Sequence, residues 1–295
     1  MQSDWAGTAM VVVSAVAFGT LSIFAKLAYN NGLGTEQLLA FRFALAAIGM
    51  WALSFAVGQN PLRLSRRQAG SLVAVGGVLY TLQAMTYFIA LRTLPASLAV
   101  LIVYIYPSLV VIAAWLFLRR RVSRWHVGAL IASFAGVILL VGGAQFQLGT
   151  GLIFAFAAPL MYTTFILISE RVMAAVPPVA ASAVMMSGTA VVLCVIALFG
   201  GQLLLPATPQ AWAISVGIAV VPTMVAISLF LAGLPRVGAA RASLISTLEL
   251  VVTVTLAILL LGDRFTLLEA VGGVLVLGAV VVVQTAHLWR PVPLK

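Results

Sequence analysis

Charge is what this 295-residue chain has least of: 7% of its residues are charged and 63% hydrophobic, with a mean hydropathy of +1.20. An ordinary soluble domain carries about 25% charged residues, so a globule covered by water is excluded. Acid is the scarcer sign, with six carboxylates in all: Asp4, Glu36, Glu170, Glu249, Asp263 and Glu269. One cysteine, Cys194, rules out an internal disulfide and reads as a buried helix thiol. The two histidines, His126 and His287, stand near predicted helix ends with no deep serine or aspartate partner. There is no HExxH, no pair of intramembrane aspartates and no phosphate-binding loop. Neither an enzyme nor a bound metal or other cofactor is expected.

What the chain has is apolar length. Ten stretches, 5–29, 34–57, 68–91, 94–117, 125–143, 149–170, 177–200, 209–232, 238–260 and 266–288, follow each other with short connections. Each approaches the ~20 apolar residues that cross ~30 Å of hydrocarbon. Runs such as Val251–Leu261 are apolar on every side, which fits helices and not the alternating strands of a membrane barrel. The expectation is an all-α integral membrane protein. The formal charge of +10 sets orientation and does not point to nucleic acid. With the N-terminus inside, Arg63, Arg66, Arg67, Arg119, Arg120, Arg121, Arg124, Arg171, Arg236, Arg241, Arg290 and Lys295 fall on the cytoplasmic side. Only Lys26, Arg92 and Arg264 fall opposite, and Arg42 lies within the second stretch. That bias puts both termini in the cytoplasm and leaves basic side chains facing membrane lipid. Asp4 stands where a signal peptide would be basic, so no cleavage is expected.

The halves resemble each other. Residues 94–107 align with 237–250 at an offset of 143, pairing Ala96, Ala99, Leu101 and Ile102 with Ala239, Ala242, Leu244 and Ile245. Further on the offset is 144, pairing Arg120 with Arg264 and Gly128 with Gly272. The domains expected are residues 1–146 and 147–295, five helices each, together forming one transport unit. Five is odd, so the second copy enters the membrane from the other side. Inverted repeats of this kind build many secondary transporters, with substrate near the midplane between the halves.

These features carry a resemblance. With the 5+5 duplication stand Phe41-Arg42-Phe43-Ala44, Tyr106-Pro107, Leu248-Glu249 and Gly262-Asp263-Arg264-Phe265-Thr266. In this order they are similar to the drug/metabolite transporter superfamily, in its ten-helix EamA-like branch, over essentially the whole length. Within the branch the chain looks most similar to bacterial amino-acid exporters, the aromatic amino-acid exporter above all. The resemblance implies a multi-pass protein of the bacterial inner membrane. Leu250 replaces the proline usual after the second-half glutamate, and Arg119 stands near a position often acidic in the first half. Both departures weaken any transfer of a charge-based coupling mechanism.

Glu249 is the carboxylate that stands apart from helix ends. Counted from Gly238 in an unbroken helix it lies about 16 Å deep, and an ionisable group at that depth is a functional candidate by default. It reads either as a proton-coupling site or as a packing residue. Arg42 is an intramembrane cation that could snorkel outward, pair with an acid or meet a substrate carboxylate. Tyr80, Gln83 and Tyr87 share one helix face, as do Tyr104 and Ser108, with Tyr162 and Thr163 on another helix and Ser246 beside Glu249. Such faces should turn from lipid and line a mainly apolar cavity, or serve as ordinary interhelical glue. Pro107, Pro159 and Pro222 each remove a backbone hydrogen bond and are candidates for kinks or gates. Gly128, Ala132 and Gly136 form a small-residue row for close helix packing.

The expected function is a secondary transporter exporting small amphipathic metabolites, amino acids foremost and aromatic ones included. It would act by alternating access through a central cavity, as an uncoupled facilitator and as a monomer. The alternative is a multidrug or organic-cation exporter, proton-coupled through Glu249.

Overall fold

The computed structural model describes residues 5–118, 124–143, 149–173, 176–237, 245–264 and 266–285. Among them there is helix and no strand. Six helical segments are long and apolar enough to cross a membrane by length and composition, and four shorter apolar helices accompany them. Arg119, Arg120, Arg121, the segment 238–244, both chain ends and the expected boundary at 146/147 lie outside the described residues.

The first segment is α1 (Trp5–Gly19) and α2 (Leu21–Asn30), separated at Thr20, whose hydroxyl bonds back to the Ala17 carbonyl at 2.7 Å. α3 (Thr35–Ala56) follows. α4 (Arg66–Ala74) and α5 (Thr81–Thr93) are joined through a π-helical segment, Val75–Tyr80. α6 (Ala96–Val103) and α7 (Tyr106–Leu118) are two halves of one broken helix, followed by α8 (Arg124–Gly143). The second half comprises α9 (Thr150–Met173), α10 (Pro178–Phe199), α11 (Pro209–Ala219), a second π segment, Val220–Val225, and α12 (Ala226–Val237). It ends with α13 (Leu248–Leu261) and α14 (Leu267–Thr285).

The most extensive interfaces join the halves: α8 with α14, α3 with α10, α1 with α12, and α5 with α9. Apolar side chains dominate both the interior and the outer surface, where Ile48, Phe199, Leu259 and Val274 are all exposed. Lipid tails are as apolar as leucine, so association rests on close packing and interhelical hydrogen bonds. Gly136 faces the Gly272 backbone where α8 crosses α14, and a Cβ added at Gly136 would sit 2.7 Å from the Gly272 carbonyl oxygen. The small-residue row thus works within the chain, at Gly136, while Gly128 faces open space. Cys194, expected to be buried, is only half-buried on α10 because its position lies toward the outer face of that helix.

The π segments have identifiable causes. A π turn leaves backbone carbonyls out of the regular ladder, and such bulges recur at functional sites. In the first, the Gly76 carbonyl accepts from Thr81 Oγ1 at 3.2 Å and from Thr189 Oγ1 of α10 at 2.9 Å. In the second, Pro222 has no N–H for the carbonyl of Ile218, and Thr223 Oγ1 donates to that oxygen instead, at 2.8 Å. The two segments lie 145 residues apart, close to the offset of the sequence duplication.

Two of the carboxylates are caps. Asp263 accepts from Ser97 N at 3.1 Å and Ser97 Oγ at 2.7 Å, satisfying a donor at the start of α6 from the far end of the sequence. Glu269 and Thr266 form a reciprocal capping box at the start of α14, with Thr266 N donating to Glu269 Oε2 at 2.7 Å and Glu269 N to Thr266 Oγ1 at 3.2 Å.

Candidate functional site: a central aromatic cavity

A cavity of about 370 Å³ lies between the halves, inside the ~300–1,000 Å³ range of small-molecule sites. Seven of the nine side chains expected there line it: Tyr80, Gln83, Tyr87, Tyr104, Tyr162, Ser246 and Glu249. Arg42 lines it as well. Ser108 and Thr163 are outside the lining; Ser108 is fully buried with its hydroxyl unpartnered, and Thr163 leans on the Tyr106 carbonyl at 3.5 Å.

The reason lies in how the helices break. At Tyr104 and Ile105 the chain makes a turn before Pro107, which stands in the first turn of α7. Across that turn Tyr104 and Tyr106 both face the cavity, their rings 6.0 Å apart, and Ser108 is carried away from it. The same thing happens near Glu249. Thr247 is a turn, and α13 starts at Leu248, so Glu249 occupies the first turn of a half-helix and not the middle of a continuous one. A helix N-terminus favours negative charge, which lowers the cost of a carboxylate in this position. Thr253, one turn on, bonds the Gly19 carbonyl at 2.9 Å and ties α13 to α1.

The wall is a chain of rings. Phe43 meets Tyr80 edge-on at 5.4 Å, and Tyr80 stacks on Phe165 at 4.9 Å with planes 20° apart. Phe165 lies parallel to Tyr162 at 6.1 Å, and Tyr162 meets Tyr106 edge-on at 4.6 Å. Tyr106, Phe43 and Phe165 were not singled out from the sequence as cavity residues. Tyr87 shares a hydrogen bond of 2.6 Å with Ser22, and Tyr104 lies within hydrogen-bonding reach of Glu249.

Two lining residues are ionisable, one an acid and one a base. Glu249 is half-buried and turned into the cavity. Arg42 is 4% exposed, its Nε donating to Thr223 Oγ1 at 3.0 Å and its guanidinium 4.7 Å from the Phe43 ring centre and 5.3 Å from that of Phe88. Cation–π attraction in such desolvated positions is worth ~2 kcal/mol. Neither side chain forms an ion pair among the described residues. Of the prolines, Pro222 lies in the second π segment beside Thr223, Pro107 follows the break in the α6–α7 helix, and Pro159 lies inside the continuous α9.

Thr223 carries a double duty, accepting from Arg42 while donating to Ile218. Thr223→Val is therefore expected to strand a buried carbonyl and a buried N–H together. At ~1–3 kcal/mol per unsatisfied group, the variant should unfold several degrees below the wild type in detergent. An unchanged thermal midpoint would show that neither bond contributes.

Split helices and π segments surround this internal cavity, in a chain as apolar as a multi-pass membrane protein. Sequence comparison gives the family. The model of the EamA-like transporter family matches residues 5–142 and again 149–285, and the chain belongs to that family. It is 26% identical to the uncharacterized transporter YcbK of Bacillus subtilis, over 90% of this chain and 89% of that one. It is also 26% identical to the uncharacterized inner membrane transporter YicL of Salmonella typhimurium, over 96% and 97%. An uncharacterized transporter of Archaeoglobus fulgidus is 26% identical over 94% and 95%. A protein crystal structure superposes with a TM-score of 0.68 at 20% identity, covering 96% of this chain and 99% of that chain, a likeness of fold.

Proposed function

We propose that this transporter exports small amphipathic metabolites, amino acids including aromatic ones foremost, by alternating access through the central cavity, as an uncoupled facilitator. The observation that carries this reading is the cavity itself: an unbroken aromatic wall with one basic and one acidic side chain among its lining residues. Of the carboxylates whose side chains are described, Asp263 and Glu269 are caps and Glu36 lies in the first turn of α3. No second cavity carboxylate is therefore offered as a relay among the described residues. The architecture we infer is ten transmembrane helices in two inverted five-helix repeats, residues 1–146 and 147–295, with both termini cytoplasmic. It is supported by the twofold family match, the interfaces joining the halves and the paired π segments. The working unit we infer is a monomer in a bacterial inner membrane. A second reading, an organic-cation exporter coupled to protons, draws on Glu249 facing the cavity beside tyrosine rings.

Uptake into proteoliposomes decides between them. Labelled phenylalanine, tryptophan and threonine and a quaternary dication would be offered with and without a pH gradient. Saturable amino-acid uptake that needs no gradient is the expected result. Gradient-dependent uptake abolished by Glu249→Gln would make Glu249 the coupling site, and movement of the dication alone would replace the amino-acid reading.

A further inference from the structure

Arg42 is an unusual residue to bury. An arginine taken from water without a counter-ion is costly, and its guanidinium does not shed the proton to escape that cost. The side chain is 4% exposed and forms no ion pair among the described residues. Three contacts fix it instead. Its Nε donates to Thr223 Oγ1 at 3.0 Å, and the guanidinium lies 4.7 Å from the Phe43 ring centre and 5.3 Å from that of Phe88. Thr223 is itself held by its bond to the Ile218 carbonyl. The Nε edge of the fork is therefore occupied, and the end formed by the two Nη atoms is not. Neither Nη has a protein hydrogen-bond partner among the described residues. Neither is among the fully buried side-chain atoms left without a partner, which are the hydroxyls of Ser108, Ser133 and Ser169. Both Nη atoms thus border open space, and the space that Arg42 lines is the central cavity. Among the described residues Arg42 is also the sole basic side chain on that lining.

Resting on the amino-acid reading above, we infer that Arg42 is the carboxylate-recognition residue of the cavity, its two Nη atoms taking a substrate carboxylate end-on with two parallel hydrogen bonds. A planar fork whose orientation the protein sets in advance suits that bidentate contact. A single guanidinium matches one negative charge, so a carboxylate is compensated and a phosphate dianion leaves a charge over. The position favours an acid that carries a ring. Phe43, which bears on the guanidinium, is also the first ring of the wall and meets Tyr80 edge-on at 5.4 Å. A carboxylate on the fork leaves the rest of such a solute beside the rings. An amine or quaternary cation without a carboxylate leaves both Nη atoms unmatched, and a site whose buried donors go unpaired rejects the analogue that lacks the acceptor. Arg42 thereby sets the site against organic cations, which the aromatic wall alone would accept.

Phenylalanine and phenylalaninamide test this, since the carboxamide keeps the shape and the amine and loses the negative charge. Each is titrated against detergent-solubilised wild-type, Arg42→Gln and Arg42→Lys protein, and its apparent affinity is read from the rise of the thermal midpoint. The quantity compared is the affinity ratio of the two compounds within one preparation, which the amount of folded protein does not change. Wild type should favour phenylalanine by about tenfold or more. Arg42→Gln should lower that ratio by about tenfold through weaker phenylalanine binding, with the amide held within about threefold of wild type. Arg42→Lys keeps the charge and loses the fork, so its ratio should fall between the two. It carries the test if Arg42→Gln does not fold, and an unchanged ratio there overturns the assignment. Two other results overturn it while amino-acid binding stands: equal loss of both compounds in Arg42→Gln, which would make Arg42 a packing residue, and equal binding of both by wild type. Wild type that binds neither compound overturns the amino-acid reading and this assignment with it.

Discussion

Gly272→Ala is expected to lower the thermal midpoint of the detergent-solubilised protein markedly, and Gly272→Leu to prevent accumulation of monodisperse protein. A Cβ at Gly272 would stand 2.5 Å from the Gly136 carbonyl oxygen and 3.0 Å from Leu140 N, both backbone atoms that no rotamer change can move aside. The α8–α14 crossing must open to admit it. Opening separates two helices whose association depends on close approach, since no hydrophobic drive operates between helices in lipid. Overpacking in a well-packed interior costs ~1–3 kcal/mol, and the leucine would exceed that. Gly128→Ala is the internal control, because a Cβ there meets nothing within 4 Å and alanine is the better helix former by ~1 kcal/mol. Equal midpoints for Gly272→Ala and Gly128→Ala would mean that the α8–α14 crossing admits a methyl group without opening.

The contrast between these two glycines bears on what a sequence can reveal. Gly128, Ala132 and Gly136 form one row by spacing alone, yet only the opposing helix decides which of them is at the crossing. Apolar length reads easily, since a membrane-spanning helix must satisfy its own backbone and needs some twenty apolar residues. For the same reason Arg42 and Glu249 stand out against their surroundings. The inward faces follow a simple rule as long as the helix is regular. Tyr80, Gln83 and Tyr87 run from the end of the π segment through α5, and all three reach the cavity. Tyr104 and Ser108 are four apart, and the same rule fails for them because a turn intervenes at Tyr104 and Ile105. In an unbroken helix Tyr104 and Tyr106 would point about 200° apart; the turn brings both to one wall. Pro107 was the available signal, since it has no N–H to donate to the carbonyl of Val103, four residues back, and so interrupts the helical ladder there. No comparable signal marks Thr247, and the segment before it, 238–244, lies outside the described residues. The depth expected for Glu249 assumed a continuous helix, whereas the half-helix start gives the carboxylate a favourable dipole that spacing could not foretell.

Phe165 shows the consequence for specificity, and Phe165→Ala is expected to raise the KM for phenylalanine roughly 10-fold or more while leaving alanine uptake within about twofold. Phe165 is the middle ring of the wall, stacked between Tyr80 at 4.9 Å and Tyr162 at 6.1 Å. Each aromatic contact is worth ~0.5–1.5 kcal/mol beyond the area it buries. Its loss removes the face against which a substrate ring would lie and frees the two tyrosines that it separates. An aromatic side chain would lose its contact with the ring and the order of its neighbours, together about 1.4 kcal/mol or more, which is the tenfold. An alanine side chain is too short to reach the wall, so its binding does not depend on the ring. Phe165→Leu, apolar and of similar bulk, should fall between, which separates lost stacking from lost volume. Equal losses for phenylalanine and alanine would mean instead that the ring supports the fold of the cavity, and substrate choice would then have to reside elsewhere in its lining.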